Sequence, residues 1–161
     1  MIHNVIMFND FIIKKIFLII KIFFVYLLFT SNVIAKQSAY FDEGIKHFEK
    51  KEFEKSKFFF EKDIVYNPKS ENSYLYLAKI FSENGNEDEQ EINLNNVLLL
   101  NPQNDEAIYM LIILKIKQSN YNKSKELIEK FNLVCKSFCS KKNEINNKFN
   151  KLIPENEKDN N

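Results

Sequence analysis

A chain of 161 residues has room for one domain and a short targeting segment. Its 23 cationic side chains are all lysines and stand against 22 acids. There is neither a basic excess for phosphates nor an arginine to read bases, so nucleic-acid binding is set aside. Two glycines and three prolines supply few tight turns, which excludes a meander of strands. The wealth of Lys, Glu, Leu, Ile and Phe predicts an all-α protein.

Residues 1–35 differ from everything after them. Lys14 and Lys15 form a basic step before the apolar stretch from Ile16 to Phe29, which only Lys21 interrupts. The triplet Val33-Ile34-Ala35 then places Val and Ala where a signal peptidase reads. This layout predicts a secretory signal peptide over 1–35, with the mature chain starting at Lys36 in the periplasm or an equivalent compartment. Met7 would serve that leader as a start as well as Met1. The rival is an uncleaved membrane anchor, which needs about 20 apolar residues; Lys21 leaves eight, Ile22 to Phe29. Membrane contact is expected only if the leader is retained. Beyond residue 35 there remain 20 lysines and 21 acids, a nearly neutral domain.

The rest of the chain repeats. Asn67-Pro68 and Asn101-Pro102 lie 34 residues apart. The same slide pairs Tyr40 with Tyr74, Gly44 with Ala78, Phe60 with Leu94 and Ile64 with Leu98. A second slide reaches Ile108, Leu111, Ile128 and Phe131, and twice the period joins Phe53 to Tyr121 and Ser56 to Ser124. The predicted repeats are 37–70, 71–104 and 105–138, each a pair of helices. Asn86, with Glu89 three residues on, and Asn120 are predicted N-caps. Residues 140–153, with Ser140, Ile145, Phe149, Leu152 and Ile153, predict an amphipathic capping helix that Pro154 ends. The polar tail 154–161 is expected to be disordered.

On these residues the chain resembles the tetratricopeptide repeat family. Repeat one carries Tyr40, Gly44, Phe53, Ser56, Phe60 and Pro68. Repeat two carries Tyr74, Leu77, Ala78, Phe81, Leu94 and Pro102, and repeat three keeps Leu111, Tyr121, Ser124 and Ile128. The resemblance covers 37–138 and implies a right-handed α-solenoid of three helix pairs. Departures are Asp63, Glu87 and Gln90 where the family prefers small or aromatic residues, Ile112 in a small-residue place and Lys136 in the proline place. The small residues Gly44, Ala78, Ser56 and Ser124 let paired helices approach, and stacking supplies the core.

The resemblance further implies that the first helices line a concave face that receives a partner segment. Its places are held by Phe41, Asp42, Ile45, Phe48 and Glu49, then Leu75, Tyr76, Lys79 and Glu83, then Tyr109, Met110, Ile113 and Lys117. That strip of apolar and aromatic residues with charges at its edges suits an amphipathic helix or an extended apolar peptide. The same residues could instead pack against one another as core. The lysine, asparagine and arginine clamp by which some relatives hold acidic chaperone tails is missing, its places being Phe41, Ile45, Tyr76, Glu106 and Met110.

Cys135 and Cys139 both follow the leader, and an oxidising compartment makes a disulfide the default. Side chains four apart on an intact helix stand too far apart to bridge, so the helix must break near Ser137. A thiol-redox pair is the alternative use of these two residues. His47 sits on a charged helix beside no nucleophile and is read as packing or solvated. Glu87 to Glu91 opens a helix, where the macrodipole favours acids, and is read as a solvated start. No phosphate loop, zinc spacing or hydrolase elbow is present. The expected protein is therefore a non-enzymatic exported scaffold, without metal or cofactor, that binds another protein. A membrane-tethered assembly factor is its variant with the leader retained.

Overall fold

The computed structural model describes residues 15–23 and 38–152. The chain divides into two units, Met1–Lys36 and Gln37–Asn161. In the first, residues 15–23 are helical and exposed. Among the described residues no helix is long and apolar enough to cross a membrane. The expected cleavage triplet 33–35, Ile153 and the tail 154–161 lie outside the described residues.

The second unit is all-α. Its helices are α1 (Ala39–Glu49), α2 (Phe53–Tyr66), α3 (Glu71–Glu83), α4 (Glu87–Leu100), α5 (Asp105–Lys117), α6 (Tyr121–Val134) and, after a 3-10 turn at Cys139–Lys141, α7 (Lys142–Phe149). Each of α1 to α6 packs on the next in the chain, and α7 closes the stack against α5 and α6.

The 34-residue period is written in the backbone. Lys51, Gly85 and Ser119, spaced by that period, each end a first helix in the left-handed region, with φ of 57°, 71° and 54°. After each, the amide of Glu52, Asn86 or Asn120 donates at 2.9 Å to the carbonyl of His47, Phe81 or Lys115, five residues back. This is the Schellman closure, which satisfies carbonyls a helix end leaves free. Only one of the three left-handed positions is the glycine that geometry favours. The second helices also end alike, with amides of Asn67, Asn101 and Cys135 donating to carbonyls of Asp63, Val97 and Phe131. Starts are fixed by side chains: Asn86 accepts from the Glu89 amide and Asn120 from that of Lys123, as the sequence predicts. Ser38 and Asn104 do the same for Phe41 and Ala107.

Two apolar clusters hold the unit. Phe41, Phe60, Leu77 and Ile80 are the buried members of one, with Ile45, Phe48, Phe53 and Tyr76 packed on it. The other runs from Leu75, Ala78 and Leu94 through Ile108, Ile112 and Phe131 to Ile145. Small residues sit at the helix seams as expected. Ser56 Oγ donates to the Gly44 carbonyl at 2.8 Å, and a Cβ on Gly44 would lie 2.6 Å from the Phe60 ring. In repeat three Ile112 takes the small-residue place and is fully buried there.

The capping helix is shorter than the 140–153 predicted. It starts at Lys142 and stops at Phe149, well before Pro154. Three asparagines, Asn143, Asn146 and Asn147, give it poor intrinsic helicity. It persists only as far as buried Ile145 and Phe149, whose ring stacks on Tyr121 at 5.0 Å.

Candidate functional site

The strip expected on the first helices is largely consumed by packing. Phe41 and Leu75 are each only 5% exposed, so they belong to the interior and cannot anchor a docked segment. Tyr76 is half-buried among aromatics, stacked on Phe60 at 5.2 Å and edge-on to Phe48 at 5.0 Å and Phe41 at 5.8 Å. Tyr109 is tied to the cap: its hydroxyl donates to Glu144 at 3.0 Å, its ring lies 5.8 Å from Phe138, and Lys141 approaches its face. Burial raises the Tyr109 hydroxyl pKa and the Glu144 carboxylate adds to the rise. Lys79 pairs with Glu106 of α5 at 2.8 Å and lies over the Tyr76 ring. Ile45 and Met110 pack on the clusters, and Ile113 is half-buried. The reason is geometric: in so short a stack these positions also face the neighbouring repeat, and large apolar side chains there bury one another.

Among the described residues a cleft of about 350 Å³ opens where α1 turns into α2 and meets the end of α3. Phe48 and Phe53, with ring centres 5.7 Å apart, supply its apolar side, and Glu49, Glu83 and Lys51 its polar rim. The left-handed turn at Lys51 brings Phe53 back beside Phe48. Of the expected strip, Phe48, Glu49 and Glu83 thus come together, and Lys51 and Phe53 join from outside it. An apolar pocket with a mostly acidic rim can hold one aliphatic or aromatic side chain flanked by a base.

Two buried polar groups elsewhere, Asp63 and Lys115, tie successive repeats together. Asp63, fully buried, accepts from the hydroxyls of Ser38 and Ser73, which ties α2 to the starts of α1 and α3. Lys115, 8% exposed, donates to Glu91 at 2.5 Å and to the Gln118 side chain at 2.9 Å. Glu87 pairs with Lys117 at 2.7 Å and accepts from Gln118; these two partners lower its pKa. The acidic start of α4 is therefore an inter-helix tie at Glu87 and Glu91 and not only a solvated end.

Glu71 and Asp105 open α3 and α5 one period apart and brace the following loop in each case. Glu71 accepts from the side-chain amides of Asn101 and Asn104. Asp105 accepts from the backbone amides of Lys136, Ser137 and Phe138 at 2.6, 2.6 and 2.9 Å. Those three residues lie inside the ring that the Cys135–Cys139 disulfide closes, where the Cα atoms are 5.2 Å apart. As the spacing requires, helix α6 has ended at Val134 before the bridge forms. His47 stacks on Phe59 at 5.3 Å and contacts Glu52, a packing role. Among the described residues no cluster of His, Cys, Asp and Glu could hold a metal.

No model of a known protein family matches the chain, and no curated protein matches it significantly.

Proposed function

We propose that this is an exported helical-repeat adaptor of the tetratricopeptide type, which holds a segment of another protein and catalyses nothing. The observation that carries the reading is the cleft lined by Phe48, Phe53, Glu49, Glu83 and Lys51, set between two units of a 34-residue repeat. Its ligand is an amphipathic stretch with one apolar anchor next to a lysine or arginine, since two carboxylates outnumber one ammonium on the rim. The leader 1–35 delivers the protein to the envelope and is removed there, which an intact mass beginning at Lys36 would support.

Selection of a displayed peptide library on the protein tests the binding reading. Enriched peptides should share an apolar anchor flanked by a base, and Glu83→Lys, at an exposed rim position, should weaken them at least tenfold with no change in melting temperature. Absence of a shared anchor, or equal binding to the Glu83→Lys protein, would refute it.

A further inference from the structure

The repeat period accounts for a cleft at one junction and a closed seam at the next. Glu87 and Lys117 stand one period after Phe53 and Glu83. At the later junction they form an ion pair of 2.7 Å that ties the start of α4 to the end of α5. At the earlier junction the same two places hold a phenyl ring and a carboxylate, which cannot make that tie. The gap is lined by Phe53 and Glu83 together with Phe48, Glu49 and Lys51.

The charges of this cleft lack partners. Glu49, Glu83 and Lys117 are period equivalents, and each is the last residue of a first helix. The carbonyl end of a helix favours a cation. Helix α5 has Lys117 there, whereas α1 and α3 end on carboxylates, and α3 has no basic residue in its last turn. Among the described residues the side chains of Glu49, Glu83 and Lys51 make no ion pair or hydrogen bond. Of the bases near them in the chain, Lys46 pairs with Glu43, Lys55 and His47 contact Glu52, and Lys50 acts on Glu43. Two carboxylates against the Lys51 ammonium leave the rim a negative excess.

We propose that the cleft receives the side chain of an arginine in a partner peptide. The inference rests on the docking function proposed above and names the base in its ligand. A guanidinium is planar, so it can lie on a ring face, and its fork of donors can bond more than one carboxylate oxygen at once. A lysine ammonium is a compact, strongly hydrated charge that gains less from either. Phe48 and Phe53, part-buried with ring centres 5.7 Å apart, supply the faces, and the exposed carboxylates of Glu49 and Glu83 supply the acceptors. The arginine would thus give Glu83 the cation that its helix end and its own repeat do not.

Three small peptides that differ only in the base, acetyl-Leu-Arg-amide, acetyl-Leu-Lys-amide and acetyl-Leu-Gln-amide, test this by NMR titration of the full chain labelled at phenylalanine. The arginine peptide should move the ring signals of Phe48 and Phe53 and bind several-fold tighter than the lysine peptide, with the glutamine peptide weakest. Phe53→Leu and, separately, Glu83→Gln should each shrink the arginine-to-lysine ratio towards one. That ratio compares two ligands on one protein, so a general loosening of the fold does not imitate its loss. Arginine and lysine peptides that bind equally, both ahead of glutamine, would overturn the arginine assignment and leave the docking reading standing. An arginine preference that survives both substitutions would do the same. If no peptide moves either ring, or if all three bind alike, both readings fall.

Discussion

Gly44→Ala should destabilise the repeat unit, although alanine is the better helix former. Relief of the glycine penalty in the α1 interior is worth about 1 kcal/mol. Against that, the new Cβ would stand 2.6, 2.8 and 2.9 Å from three carbons of the Phe60 ring, where contact lies near 3.5–4.0 Å. The ring has to retreat by about 1 Å from that optimum, yet it is fully buried and held by Phe41 at 5.4 Å and Tyr76 at 5.2 Å. Overpacking of this kind costs about 1–3 kcal/mol. Parting α1 from α2 also strains the Ser56–Gly44 hydrogen bond across the same seam, worth about 1 kcal/mol. The net loss is about 1–3 kcal/mol, read by urea unfolding followed in the far ultraviolet. Phe60→Leu in the Gly44→Ala background should cost less than the two changes summed, because the smaller side chain vacates the space. A Gly44→Ala protein as stable as the parent would refute the reasoning, for α1 and α2 would not then meet at this seam.

Tyr76→Ala should lower stability by about 2–4 kcal/mol, since three ring contacts are lost with the burial; an unchanged melting temperature would return Tyr76 to the surface. Glu91→Ala should cost more than Lys115→Met in the same unfolding assay, because the first strands a nearly buried ammonium while the second removes it. Burial of Asp105 pushes its carboxyl up, but the amides of Phe138, Lys136 and Ser137 outweigh that and hold it below its ordinary value. A depressed folded pKa stabilises above the unfolded value and is lost as pH falls through the folded one. The amide resonances of residues 136–138 should therefore move together below about pH 4, and Asp105→Asn should abolish that titration.

The repeat frame was legible because it is set by local chemistry at a fixed step. Asn86 and Asn120 cap where they were expected, and the period located every helix pair. The length of α7 was less so, since Pro154 marks where a helix must stop and not where packing ceases to support it. On the first helices Phe41 and Leu75 take the core alternative, and the sequence cannot choose between the two because one periodicity describes both a concave lining and the contact with a neighbouring repeat. Asp63 looked like a bare departure from the family pattern. Its partners Ser38 and Ser73 lie 25 and 10 residues away, and no local pattern couples them. The slide of 34 also joins Val65, Leu99 and Leu133, but the period alone does not say that all three point to solvent.

Helix α3 faces two ways. Leu77 and Ile80 complete the aromatic cluster of the first repeat, while Leu75 and Ala78 open the cluster that ends at Ile145. During synthesis, which releases the N-terminal part first, α1 and α2 cannot close their interior until α3 has emerged. Residues 38–83 are then able to consolidate as an early instalment while the rest is still being made. The later cluster has no such intermediate stop, because its last buried member, Ile145, sits on the last described helix and beyond both cysteines. The growing chain therefore exposes one half-built apolar wall, the Leu75 side of α3, for as long as it takes to extend from there to the cap.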